Sequence, residues 1–124
     1  MQFRSMNISG WEVSVLGFGC MRLPTLDAWN RIDYKKASEM LSYAIDRGVN
    51  YLDTAWTYHN GASEEFLGHF LESGYRSKVK VATKAPMWLI DSTKDFLDCF
   101  ERQRTRLRVE TVDFYLFHAL NRNR

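Results

Sequence analysis

No apolar run in this 124-residue sequence approaches the roughly 18 residues that a membrane-spanning helix needs. The start, MQFRSMNISGW, also lacks the apolar stretch of about 7–15 residues of a signal peptide. Cysteine is scarce: Cys20 and Cys99 lie far apart and neither has a second cysteine nearby, so no CxxC-type motif exists and no metal is expected. A reduced, soluble, cytoplasmic chain is the expectation. An excess of one charge is missing too, since the formal net charge is +2. Neither nucleic acid nor a membrane is implied as a partner, and Arg102, Arg104, Arg106 and Arg108, with Arg122 and Arg124 beyond, read as a solvated helix face. Finally, no GxGxxG and no P-loop glycine pattern follows the first strand-like run. LGFGC offers two glycines, so a doubly wound dinucleotide-binding domain is unsupported.

What the sequence does contain is an alternation of strand-like and helix-like segments. VSVLGFG (13–19) leads to a predicted helix over Asp33–Arg47, where Ala37, Met40, Leu41, Ala44 and Ile45 recur at three and four residues. Asp33 is placed to cap its start and Gly48 to close its end. VNYLD (49–53) is a second strand, followed by a helix over Ser63–Ser73 that buries Phe66, Leu67, Phe70 and Leu71 and carries Glu64 and Glu65 in its first turn. VKVAT (79–83) is a third strand, running on to Lys84. Ser92 and Asp95 resemble a capping box opening a helix to about Arg108, with Phe96, Cys99, Phe100 and Leu107 inward. VDFYLFH (112–118) is the fourth strand.

Such an alternation with short connections specifies βαβ units and an α/β fold with a parallel sheet. The strands end near 19, 53, 84 and 118, one βα unit apart. Eight units of that length give the roughly 250 residues of a (β/α)8 barrel. The sequence holds four, residues 13–124, and residues 1–12, with Ser9-Gly10 between two strand-like runs, read as a hairpin outside the sheet.

In a barrel, function sits at the carboxyl ends of the strands. Strand two ends in Asp53, strand three in Lys84 and strand four in His118, with Tyr58 just after strand two. Each alone has an ordinary reading as a cap, a solvated lysine, a structural histidine or a loop aromatic. Together on one rim they suit proton delivery to a carbonyl. A free phenol has a pKa of about 10, and a cation roughly 4–6 Å away favours the phenolate. Tyr58 is then the acid, Lys84 its tuner and Asp53 the anchor. His118 holds the carbonyl oxygen or shares the proton with Tyr58, according to its tautomer.

The stretches LGFGCMRLP (16–24), GVNYLDTAWTYHNGASEEFLG (48–68), VKVATK (79–84) and VDFYLFH (112–118) resemble the first half of an aldo-keto reductase. The resemblance implies the first four units of a TIM barrel and NADP(H)-dependent reduction of aldehydes or ketones. Asp53, Tyr58, Lys84 and His118 match that family's catalytic tetrad; Gly19, Cys20 and Met21, with Asp53, match residues near the nicotinamide ribose. Trp56 and Trp88, after strands two and three, are candidates for a substrate pocket wall. MRLP, YHNGxSE and TKxPxWL are similar to a bacterial and archaeal branch whose longer members carry a ferredoxin-like iron–sulfur segment; the cysteines for one are not in this sequence. The family takes most of its cofactor contacts from its last four strands, so the chain is expected to be a fragment with little activity alone and to self-associate through unpaired sheet edges. The alternative is a reductase-derived binding or regulatory module, like the potassium-channel β subunits that the family resembles.

Overall fold

The computed structural model describes residues 1–6 and 10–120. An antiparallel hairpin comes first: β1 (Phe3–Met6) pairs with β2 (Trp11–Ser14), Phe3 opposite Ser14 and Met6 opposite Trp11. The hairpin therefore reaches past residue 12, and Ser9, expected in its turn, lies outside the described residues. The run 13–19 is divided rather than a single strand. Ser14 causes the break: its amide donates to Asn50 Oδ1, its hydroxyl donates to the Leu16 carbonyl, and the Asn50 amide donates to that hydroxyl. Asn50 also donates through Nδ2 to the Glu12 carbonyl, which clamps the hairpin onto the sheet.

The sheet itself has four parallel strands in chain order, β3 (Phe18–Gly19), β4 (Tyr51–Asp53), β5 (Lys80–Pro86) and β6 (Phe114–His118). Helices α1 (Tyr34–Asp46), α2 (Ala62–Phe70) and α3 (Thr93–Leu107) stand between them in sequence. The expected α/β alternation is present, as half the strands of an eight-stranded barrel. Several strand bounds differ from expectation, β4 beginning at Tyr51 rather than Val49 and β5 at Lys80 rather than Val79. β5 continues to Pro86, so Lys84 lies within the strand, paired with Leu116, and Pro86 pairs with His118. β6 begins at Phe114 because Asp113 turns its carboxylate to the Val81 amide and the Arg76 guanidinium.

The helix ends follow their local chemistry. The Asp33 carboxylate accepts from the Lys36 amide, and Gly48, at φ +95°, closes the far end of α1 as only glycine does without strain. Ser92 accepts from the Asp95 amide, and the Asp95 carboxylate accepts from the Asp91 amide and the Ser92 hydroxyl. α2 stops at Phe70 and relaxes into a wider turn over Leu71–Tyr75. Leu41, Leu52, Phe66, Leu67, Leu71, Val81 and Leu107 form the sealed layer between sheet and helices. Met40, expected inward, is exposed, because α1 lies beside the edge strand β3 and its Met40 face borders an open groove of about 510 Å³ with Phe18 and Tyr43. Among the described residues no helix is long and apolar enough to cross a membrane.

One close approach fixes the helix layer. A Cβ on Gly68 would stand 2.4 Å from the Arg106 carbonyl oxygen and 2.9 Å from the Leu107 carbonyl carbon. Both obstacles are backbone, so α2 and α3 must separate to admit it. Gly68→Ala is expected to cost about 1–3 kcal/mol, read as a lower urea midpoint at unchanged slope.

Candidate active site

Parallel pairing in register is what brings the site together. Gly19 lies opposite Asp53, Asp53 opposite Ala82, Lys84 opposite Leu116 and Pro86 opposite His118. Side chains alternate across a strand, so Thr83 and Lys84 face opposite layers. Lys84 Nζ donates to Asp53 Oδ1 at 2.6 Å, to the Thr54 carbonyl at 2.7 Å and to Tyr58 Oη at 3.2 Å. Its side chain is 14% exposed and that of Asp53 27%, so the ion pair is partly withdrawn from water. An ammonium has three N–H groups, and all three are spent here. Tyr58 accepts from Lys84, which leaves the phenolic proton free to be given elsewhere.

His118 completes the rim from β6. Its ring stands edge-on to Tyr58 with centroids 6.1 Å apart and 5.4 Å from Trp88. Burial first, and then the Lys84 ammonium, push its imidazole below the ordinary histidine range, with Asp53 opposing. His118 is therefore neutral at pH 7, and its Nδ1 is buried without a partner among the described residues, so none of them fixes its tautomer through that nitrogen.

The remaining candidates separate. Trp88 borders the rim through His118, whereas Trp56 lies under the Arg106 guanidinium of α3, 4.1 Å from ring centroid to Cζ. Arg106 also donates to Glu64, so it is not part of a solvated arginine face; Arg122 and Arg124 lie outside the described residues. Gly19 and Met21 are exposed. Cys20 is sealed: its amide donates to the Asp53 carbonyl, its carbonyl accepts from Ser63 Oγ, and burial together with the Asp53 carboxylate pushes its thiol up to about 12.

A buried polar cluster behind β5 escaped the sequence reading. Glu64, fully buried, accepts from Thr83 Oγ1 at 2.7 Å, from Gln103 Nε2 at 2.6 Å and from Arg106 at 3.2 Å. Gln103 also donates to the Lys84 carbonyl at 3.0 Å and accepts from Tyr115 Oη at 2.7 Å. Burial raises the Tyr115 phenol and keeps it a donor. The signal lay in the helix period: Cys99, Gln103 and Leu107 share one face of α3, which puts an amide inside an apolar stripe. Glu64 does more than meet a helix dipole. It ties α2 and α3 to the strand that carries Lys84.

The turn bearing Tyr58 is unusual in its backbone. His59 (φ 52°, ψ 45°) and Asn60 (φ 56°, ψ 31°) are both left-handed, a conformation that costs roughly 1–2 kcal/mol for most residues with a Cβ and less for asparagine. His59 is 7% exposed, and its Nε2 accepts from the Leu23 amide at 2.8 Å.

A sequence model of the Aldo/keto reductase family matches residues 15–124. The chain is 32% identical over 128 residues to the uncharacterized oxidoreductase YqkF of Bacillus subtilis (strain 168), across 96% of this chain and 39% of YqkF. It is 38% identical over 90 residues to a probable voltage-gated potassium channel subunit beta of Arabidopsis thaliana, across 68% of this chain and 25% of that protein. The holo form of aldo-keto reductase AKR11C1 from Bacillus halodurans superposes with a TM-score of 0.75 at 32% identity, covering 94% of this chain and 40% of that one. The chain thus spans about two fifths or less of the length of these relatives.

Proposed function

We propose that this chain, which belongs to the aldo/keto reductase family, is the proton-delivering part of an oxidoreductase that reduces aldehydes or ketones to alcohols with NADP(H). The observation that carries the reading is the spent ammonium of Lys84, which turns Tyr58 into a hydroxyl with its proton to give. Asp53 anchors the cation. His118, neutral and unfixed in tautomer, donates a hydrogen bond to the carbonyl oxygen, and Trp88 walls the approach.

The strand exit suits the ribose end of a dinucleotide. A Cβ on Gly19 would meet nothing within 4 Å, Met21 is exposed, and Asp53 Oδ2 has no partner among the described residues. Gly19, Met21 and Asp53 would hold that end, while Cys20 contributes by fixing the backbone between them. When bound, the dinucleotide supplies the hydride that adds to the carbonyl carbon. As that bond forms, the carbonyl π pair moves to oxygen, which takes the Tyr58 proton and becomes the alcohol.

In this reading the activity belongs to a barrel that four further units complete, with these four as one part, and the greater length of the relatives supports it. The buried, free thiols suit a reducing cytoplasm. The test is NADPH oxidation with 4-nitrobenzaldehyde by the completed barrel, with the benzyl alcohol identified as product. Oxidation without alcohol, or no turnover at saturating substrate, overturns the reading. A second reading, a binding or regulatory module, draws on the likeness to the Arabidopsis channel subunit. It predicts negligible turnover together with retained cofactor binding.

The open edges carry their own expectation. Among the described residues β3 and β6 each lack a neighbour on one side, and Leu116 and Phe117 at the β6 edge are 40% and 59% exposed. The isolated chain is expected to associate with copies of itself. Sedimentation showing a compact monomer at micromolar concentration contradicts this.

A further inference from the structure

We infer that His59 is a positioning residue: its imidazole locks the loop leaving β3 to the turn that carries Tyr58, and so sets where the phenol stands. The inference deepens the reductase reading and rests on it for its catalytic meaning. Its structural content stands separately.

Leu23 lies in the loop that follows Gly19, Cys20 and Met21, and His59 immediately follows Tyr58. One hydrogen bond, from the Leu23 amide to His59 Nε2 at 2.8 Å, joins them across 36 positions of sequence. Leu23 is 4% exposed and His59 7%. Because Nε2 accepts, the imidazole is neutral with its proton on Nδ1. That Nδ1 is buried and has no partner among the described residues. The backbone of His59 is left-handed, where a side chain is strained. The unpartnered Nδ1 and the left-handed backbone each cost stability, and an asparagine or glycine would suit the backbone better. What the histidine supplies, and asparagine and glycine do not, is an acceptor long enough to reach Leu23. Tyr58 is otherwise held at its hydroxyl by Lys84, by a backbone bond from its amide to the Ala55 carbonyl and by the edge of His118. His59 fixes the other end of the same turn. Backbone strain stored beside reacting groups is a recurrent way of holding them in place.

Two substitutions separate reach from backbone tolerance. Glutamine presents an oxygen where His59 Nε2 stands, whereas asparagine fits the left-handed backbone better but falls one methylene short. In the full chain, hydrogen exchange read on peptides containing Leu23 is expected to quicken about tenfold in His59→Asn and to stay within about threefold of the parent in His59→Gln, with α2 peptides unchanged in both. In the completed barrel, kcat for the aldehyde is expected to fall about tenfold in His59→Asn at unchanged KM, and glutamine is expected to restore it. Equal exchange at Leu23 in all three chains overturns the lock, as does acceleration by both variants alike. A barrel with no reductase turnover refutes the proposed function, while the exchange result still decides the lock. Turnover that is insensitive to His59 when exchange at Leu23 has changed refutes the positioning role.

Discussion

Tyr58→Phe is expected to lower kcat for carbonyl reduction by a hundredfold to ten-thousandfold in the completed barrel, the range that a positioned general acid contributes. The substitution removes one oxygen atom. The ring keeps its edge contact with His118, and the Lys84 ammonium keeps Asp53 and the Thr54 carbonyl, so packing and cofactor affinity change little. The loss therefore appears in kcat and in kcat/KM by the same factor, the signature of an interaction made in the transition state. Pre-steady-state measurement of hydride transfer is the check, with deuterated cofactor to establish that the chemical step is being observed. If hydride transfer limits the rate and the Tyr58→Phe enzyme still keeps most of its turnover, Tyr58 is not the acid.

The second large effect is expected from Lys84→Met. Methionine fills a similar volume but donates nothing, so three hydrogen bonds disappear and the Asp53 carboxylate loses its counter-charge in a partly dry setting. Turnover is expected to fall by about the same 10²–10⁴, since the donor that holds the phenolic oxygen in place is gone. The double variant is expected to be little worse than either single one, because both act through one proton. Multiplying losses would show instead that the two residues serve separate steps. Asp53→Asn in the Lys84→Met background supplies a further reading: it should recover stability by removing the stranded charge, without recovering rate.

The order of elements was written in the sequence because periodicity reports which faces are buried. The strand that delivers Asp53 and the caps Asp33 and Ser92 follow from residues within a few positions of each other. The four rim groups were legible for a similar reason, since each is fixed by its place along a strand or just beyond one. The misreadings were of another kind. β5 extends past Lys84 because it pairs with β6 as far as His118, and β2 takes Val13 and Ser14 because they pair with Arg4 and Phe3 of β1. Arg106 looked solvated by composition and is drawn in by Glu64, and Met40 looked buried by period but lies where α1 borders an open edge. Glu64, Gln103 and Tyr115 find one another only after the helices have docked.

The alternation at Thr83 and Lys84 has a consequence for how such a catalyst changes over generations. Lys84 faces the rim with its side chain, while its own carbonyl is held by Gln103 from the helix layer and Thr83 beside it is held by Glu64. A substitution on the outer helices thus reaches the ammonium through a single peptide unit, without altering any residue that meets substrate. On the proposed reductase function, rate is then open to selection from the outside of the molecule while the pocket keeps its specificity. A mutagenesis library confined to the faces of α2 and α3 that touch β5 is then a way to search for altered turnover separately from altered substrate choice.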